Sequence, residues 1–394
     1  MPELPMPDAD ALAHSERLRA LIREEIVDAG GAVPFWRFME LALYAPGLGY
    51  YSAGSTKFGR AGDFVTAPEL GSLFAQCVAE AVAPVLRQLG SEAQFVEIGG
   101  GSGAFAEALL ARLQALDALP ARYAILEPSA DLRERQRERL ERATSPSVFA
   151  RVRWLDRPQE EAWNGVLFAN EVIDALPTPR FLIRDGEVFE EGVALDAQDR
   201  LVPAWFPADA LLAGGVRHAE RYLETTFAEG YRAELLPHLP YWIQAVMGGL
   251  REGAMLFFDY GHPRREYYLP ERGNGTVRAF YRQQVHNDVY RWPGLQDITA
   301  SVDFTALAEA GTQAGFDLAG YCTQSGFLLG NGLQQRLEEA EAQAPDEQAR
   351  LRLRNEARQL TLPDAMGERF QAMGFSRGVD FDAAFAFNDL GWRL

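Results

Sequence analysis

Cysteine is nearly absent from this chain of 394 residues: Cys77 and Cys322 stand far apart, and neither belongs to a C-x-x-C pair. That excludes a disulfide framework and a thiolate zinc site, and it fits a reducing compartment. Histidine is scarce as well. His14, His218, His238, His262 and His286 are scattered without metal-ligand spacing, so no metal is assigned. No run approaches the roughly eighteen apolar residues of a membrane span. The first residues carry Glu3, Asp8 and Asp10 in place of the basic and apolar regions of a signal peptide or the Arg-rich character of a transit peptide. The cytoplasm of a bacterium is the simplest expectation. An excess of cations is missing too, because 38 Lys and Arg face 56 Asp and Glu for a formal charge of −18. Nucleic-acid binding draws on clustered cations, so a polyanionic partner is not expected. An acidic surface suits a cationic substrate, and it equally serves solubility alone.

What is present has the make-up of an ordered globular protein, with 47% hydrophobic and 24% charged residues and no low-complexity tract or internal repeat. The length exceeds one average domain, which implies a core with large insertions or a second lobe. Leu18, Leu21, Ile22 and Ile26 have helical spacing behind Ser15 as a cap, and a second helix follows Pro34. Residues 44–69 are rich in glycine and aromatics and read as a long ordered loop, followed by a helix over 70–89. From Gln94 onward, short apolar runs alternate with helical patterns, the signature of a parallel sheet covered by helices. Strands are expected at 94–98, 122–127, 152–154 and 165–170, with helices at 104–116 and 131–142 between them. Residues 181–202 read as an antiparallel hairpin excursion turning at Asp185-Gly186. A helical stretch over 219–249 and a buried strand over 253–260 follow.

Residues 261–300 are expected to form an irregular inserted loop, the best candidate for a lid. A helix at 303–314, strands at 316–322 and 326–329, one charged helix over 333–360 and an aromatic tail complete the chain. The resulting division is an N-terminal helical region (1–90), an α/β core (91–330) with insertions at about 180–250 and 261–300, and a C-terminal helical extension (331–394).

The strongest local signal is Glu97-x-Gly99-x-Gly101-x-Gly103 between a strand and a helix. There, backbone N–H groups and a helix N-terminus converge on one spot, and glycine is needed where a ligand approaches the main chain. The next strand ends in Glu127, whose carboxylate can accept bonds from both hydroxyls of a ribose. Together they define a nucleoside pocket at the strand ends. Gly99, Gly101 and Ala104 also satisfy the dinucleotide pattern, so a nicotinamide-dependent oxidoreductase stays open. Glu97 favours S-adenosylmethionine, because a carboxylate beside a pyrophosphate is repulsive whereas this cofactor presents an ammonium and a sulfonium. The ending in helix, strand, strand after the fifth sheet strand favours it too.

Five motifs occur in family order: Phe38-Met-Glu-Leu-Ala-Leu-Tyr-Ala-Pro-Gly-Leu-Gly-Tyr-Tyr51, Gly62-Asp-Phe-Val-Thr-Ala-Pro-Glu69, Glu97-Ile-Gly-Gly-Gly-Ser-Gly103, Asn170-Glu-Val-Ile-Asp-Ala-Leu-Pro177 and Asp259-Tyr-Gly-His262. In these the chain resembles the MidA family over roughly residues 15 to 330. The resemblance implies a seven-stranded class I methyltransferase (Rossmann-like) sheet with helical N-terminal additions and inserted segments, and S-adenosyl-L-methionine as cofactor. The family includes the mitochondrial arginine methyltransferase needed for respiratory complex I assembly. A protein substrate carrying a target arginine, such as a complex I subunit, is the implied partner. Gly100 departs from the family's usual Glu-x-Gly-Pro-Gly form and should loosen the turn slightly.

Methyl transfer from a sulfonium is an in-line displacement, so the enzyme mainly positions the nucleophile. A guanidinium nucleophile must be held by carboxylates that accept its planar fork of N–H donors. Glu171 and Asp174, just past the fourth strand, are the candidates for that work, with Asn170 as a polar contact at the transferring methyl. Asp174 serves equally as a turn former before Ala-Leu-Pro. Gly62, Asp63, Phe64, Thr66 and Glu69 are candidates for closing over the amino-acid end of the cofactor, while Asp259, Tyr260 and His262 could line the substrate side. A non-enzymatic assembly factor that keeps the cofactor pocket is the alternative from another class.

Overall fold

Runs such as Val166-Leu-Phe-Ala169 lack the polar alternation of a half-exposed strand and must be covered on both faces. The computed structural model, which describes residues 4–52 and 66–394, places such runs in a sheet clothed by helices. Its chain groups into two units. One comprises the described part of Val65–Val172 with Leu239–Gly261 and Phe304–Leu394, and the other comprises the described part of Met1–Phe64 with Ile173–His238 and His262–Asp303.

The first of these, the sheet unit, contains strands β1 (Gln94–Ile98), β2 (Arg122–Leu126), β3 (Val152–Leu155), β4 (Trp163–Asn170), β5 (Leu250–His262), β6 (Asp317–Thr323) and β7 (Phe370–Arg377). Their order across the sheet is β3-β2-β1-β4-β5-β7-β6. β1 to β5 pair in parallel, and β7 runs antiparallel between β5 and β6. The register is what builds a site, since Ile98 lies level with Leu126 of β2 and Ala169 of β4. The residues that follow, Gly99 and Glu127 just beyond their strands and Asn170 as the last of β4, therefore stand at the C-terminal ends of neighbouring strands.

Helices α1 (Leu73–Leu89), α2 (Ala104–Ala115), α3 (Ala130–Ala143), α4 (Leu239–Met247), α5 (Phe304–Gln313), α6 (Gln324–Gly330), α7 (Leu333–Gln343) and α8 (Glu347–Thr361) accompany the strands. The core beneath them is aromatic. Phe105 of α2 stacks on Phe168 of β4 with ring centroids 4.2 Å apart, and Phe258 of β5 meets Phe74 and Phe327 edge-on at 4.9 and 5.0 Å. Each such buried ring contributes about 1.5–3 kcal/mol. α1 begins at Ser72 without a side-chain cap; instead Glu356 of α8 accepts the Leu73 N–H at 2.7 Å.

The other unit is antiparallel. Strands Ala32–Pro34, Glu187–Leu195, Arg180–Arg184 and Arg232–Glu234 lie side by side in that order, and Leu201–Pro207 also pairs with Glu187–Leu195. Helices Ala9–Asp28 and Phe35–Tyr44 pack Leu18, Ile22, Ile26, Phe35 and Phe38 into its core. Arg180 is held there between Glu191 and Glu234, at 2.8 and 3.1 Å.

Several expected elements differ. The first helix starts at Ala9, where Asp8 accepts the Ala11 N–H, and Ser15 sits buried inside it with its hydroxyl on the Pro293 carbonyl. The expected helix 70–89 is interrupted at Gly71. The expected strand at 326–329 is the helix α6, because Thr323 caps it through the Gly326 N–H; a short apolar run carries no period of its own. The seventh strand is Phe370–Arg377, which sequence periodicity left inside an aromatic tail. The charged stretch 333–360 is two helices, and Asp346 caps the second at the Ala349 N–H. The helical reading of 219–249 gives way to helix Ala210–Leu223, strand Arg232–Glu234 and α4. Residues 261–300 are not an irregular loop; they carry a three-stranded sheet of Gln284–His286, Arg278–Tyr281 and Asp297–Thr299.

Candidate functional site

The turn after β1 is built from glycines in the left-handed region, with Gly99 at φ 69°, Gly101 at 51° and Gly103 at 81°. A side chain at such φ costs about 1–2 kcal/mol, which is why this turn needs glycine. The Gly99 N–H donates to the Leu126 carbonyl and the Gly103 N–H to the Gly100 carbonyl, so the turn is pinned to β2 and closed on itself. A Cβ placed on Gly101 would meet no atom of the described residues within 4 Å. Among the described residues, nothing fills the space beside the main chain there.

Two carboxylates flank the turn. Glu97 is buried and accepts the Tyr123 hydroxyl at 2.7 Å. Burial pushes its carboxyl up to about 7, the neighbouring Glu127 charge adds to that, and the Tyr123 hydroxyl acts the other way. Glu127 is buried too, with Oε1 accepting the Ser129 N–H at 3.0 Å and Oε2 accepting from the Gln136 amide at 3.4 Å.

At the end of β4, the Asn170 amide donates to Glu171 Oε1 at 3.0 Å, and Asn170 Oδ1 is buried with no hydrogen-bond partner among the described residues. Glu171 holds φ 53°, rare for a residue with a Cβ, and its N–H donates to the Phe258 carbonyl of β5 at 2.9 Å. Asp259 is buried one position further along β5, accepting the N–H groups of Val172 and Tyr260 at 3.3 and 2.8 Å. Asp174 belongs to the antiparallel unit. Its carbonyl accepts the Ala300 N–H; burial first, and then the nearby Asp297 and Asp174 carboxylates, push the Tyr51 hydroxyl well above its ordinary value.

Glu69 lies in the single turn Ala67–Leu70 that follows Thr66, and it accepts a bond from the Ser102 hydroxyl of the glycine turn. Arg139 of α3 also donates to Ser102, at 3.1 Å, and pairs with Glu107 at 2.6 Å. Gly62, Asp63 and Phe64 lie outside the described residues.

Residues 77–322 match the model of a family described as "Putative S-adenosyl-L-methionine-dependent methyltransferase". A Drosophila melanogaster protein named protein arginine methyltransferase NDUFAF7 homolog, mitochondrial, is 28% identical over 418 residues, covering 96% of this chain and 89% of that protein. The human protein arginine methyltransferase NDUFAF7, mitochondrial, is 27% identical over 375 residues, covering 87% and 80%. A crystal structure from Burkholderia thailandensis, bound to S-adenosyl-homocysteine, superposes with a TM-score of 0.92 at 43% identity over 100% of both chains. The chain belongs to this methyltransferase family. The MidA resemblance and the seven-strand class I sheet read from the motifs are thereby borne out, and the nicotinamide alternative falls away.

The methyltransferase's donor is S-adenosylmethionine. The residues at these strand ends fit it, since the space beside Gly101, unfilled among the described residues, admits a ligand against the main chain and the orphaned Asn170 Oδ1 is a buried acceptor lacking a donor among them. A cavity of about 610 Å³ runs along α2, lined by Glu69, Ala104, Ala108, Arg112, Arg139 and Arg336 among others, but by none of Gly99, Gly101, Glu127, Asn170 or Glu171. Tyr123, Gln136 and Trp154, which join this hydrogen-bonded set, belong to no motif of the sequence. Gln136 left a trace: it is the uncharged polar residue midway between Leu132 and Leu140 on the buried stripe of a helix otherwise full of Arg and Glu.

Proposed function

We propose that this methyltransferase transfers a methyl group to an arginine side chain of a protein, and that Glu171 holds the guanidinium. The observation that carries the reading is the Glu171 backbone, kept at φ 53° at the end of β4 by its bond to β5. A strained non-glycine residue costs about 1–3 kcal/mol, and such residues cluster at active sites. The names of the relatives support the substrate class.

In this reading Gly99, Gly101 and Gly103 let the main chain of the turn lie against the cofactor, and Glu127 accepts its ribose hydroxyls. Glu97 faces its cationic amino-acid end, with Thr66, Glu69, Gly62, Asp63 and Phe64 closing over it. When bound, S-adenosylmethionine supplies an electrophilic methyl carbon on its sulfonium. The Glu171 carboxylate accepts N–H bonds from the guanidinium fork, aims one nitrogen and takes the proton that nitrogen gives up. Asn170 Oδ1 contributes a fixed acceptor beside it. Asp174 is proposed as the second carboxylate, a respiratory complex I subunit as the protein partner, and the bacterial cytoplasm as the compartment. Among the described residues no helix is long and apolar enough to cross a membrane.

The test is incubation of the purified enzyme with labelled donor and a cell lysate. Label should enter a protein band and be recovered as methylarginine after hydrolysis. Label confined to small molecules overturns the protein substrate, and label recovered on another amino acid overturns the arginine.

A further inference from the structure

Gln136 is fully buried on α3, and both ends of its amide are spoken for. Its Nε2 donates to the Gly101 carbonyl at 2.9 Å and to Glu127 Oε2 at 3.4 Å, while its Oε1 accepts the Trp154 indole N–H at 2.9 Å. Only one orientation of the amide satisfies these partners. Turned over, the oxygen would face two acceptors and the NH2 group would face a donor. The side chain also lies against the turn itself. A Cβ on Gly100 would come within 3.0 Å of Gln136 Nε2 and 2.7 Å of Ile125 Cγ2, and one on Gly103 would stand 3.4 Å from the Gln136 Cα. The glycine that replaces the family's usual proline at 100 thus gives the amide its room.

We propose that Gln136 is a positioning residue of the cofactor site. Through one amide it holds the glycine turn and the Glu127 carboxylate in mutual register, and Trp154 sets which way that amide faces. The turn and the acid come from separate strands, β1 and β2, and the ribose and the rest of the cofactor are gripped together only if the two keep their spacing. Part of this inference rests on the reading of Glu127 as the ribose acceptor.

Calorimetric titration of the full chain with S-adenosyl-homocysteine tests it. Gln136→Met keeps the volume and loses the bonds, and it should raise Kd about tenfold. Trp154→Phe frees the amide to turn over; it should raise Kd about threefold in the native background and not at all beside Gln136→Met. In steady-state kinetics the loss should appear in KM for the donor rather than in kcat. A purely structural role would not produce the deciding signature. Removing the ribose 2′-hydroxyl from the ligand should weaken binding strongly to the native enzyme and much less to Gln136→Met, because the misplaced Glu127 no longer reads it. Equal penalties in the two proteins, or Kd values within about twofold of native for both variants, overturn the proposal. Should Gln136→Met fail to fold, Trp154→Phe with the two ligands decides by the same criterion. A separate outcome concerns Glu127. If Glu127→Gln binds as tightly as native enzyme while Gln136→Met does not, the ribose reading is overturned and the bracing of Gly101 stands.

Discussion

In the antiparallel unit, two buried carboxylates share one guanidinium: Glu191 and Glu234 close on Arg180, with Tyr290 donating a further bond to Glu191 and the Thr276 N–H one to Glu234. In the sheet unit, four buried carboxylates accept backbone N–H groups or a hydroxyl. Glu127 receives Ser129, Asp259 receives Val172 and Tyr260, Glu356 receives Leu73, and Glu97 receives Tyr123. An ion pair of this kind fixes side chains to one another inside a core, where it braces a fold. Glu97, Glu127 and Asp259 lie toward the C-terminal ends of β1, β2 and β5, and the bonds named there come from uncharged donors. Such a rim is where a cationic cofactor and a cationic substrate can be received. In the proposed reading the same residue type braces one unit and serves chemistry in the other, according to what partners it.

Breaking the brace should have the largest effect. Arg180→Met leaves two buried carboxylates facing each other and should cost about 3–5 kcal/mol in urea unfolding. A loss below about 1 kcal/mol would show that the pair is not what holds the antiparallel unit together. Next comes the turn. Gly101→Val sets a branched side chain at φ 51° in the space a ligand needs, and S-adenosyl-homocysteine should bind at least about 100-fold more weakly while circular dichroism stays native. Unchanged binding would remove the glycine turn from the cofactor site.

The rim carboxylates come third. Glu171→Gln should keep S-adenosyl-homocysteine affinity and lower methyl transfer about 100-fold, since a neutral amide cannot take the guanidinium's proton. Unchanged turnover would strip Glu171 of that role. The smallest effect is on stability against pH. Burial holds the Glu97 carboxyl at about 7, above its ordinary value of 4.5, so between those values the folded chain binds more protons than the unfolded one. Its contribution is present at low pH and is lost as pH rises through 7. Melting curves from pH 5 to 8 should fall less steeply for Glu97→Gln than for the native protein, and parallel curves would mean that Glu97 does not titrate in this window.

Much of the sheet unit could be read in the sequence, because β1 to β5 are short apolar runs separated by helical periods and a parallel sheet covered on both faces leaves that pattern. The seventh strand escaped. Phe370–Arg377 lies after two charged helices, and nothing local says that it returns to pair between β5 and β6. The antiparallel unit was read poorly for the same reason, since its members come from 9–44, 180–234 and 264–299, and its cohesion lies in contacts such as Arg180 with Glu234. At the site, Gly99, Gly101, Gly103 and Glu127 were legible because their backbone demands and strand-end positions are local facts. Gln136 and Trp154 were not, since an amide and an indole have no function until α3 folds over the turn.

By itself the sequence determined the class of fold, the glycine turn and the acids on either side of it, because φ, strand period and apolar cover are properties of neighbours in the chain. Only the tertiary structure decided which carboxylates are neutralised by a cation and which are held by main-chain donors, and that one glutamine bridges β1 to β2. Those outcomes depend on distances between segments far apart in the chain, which no local pattern encodes.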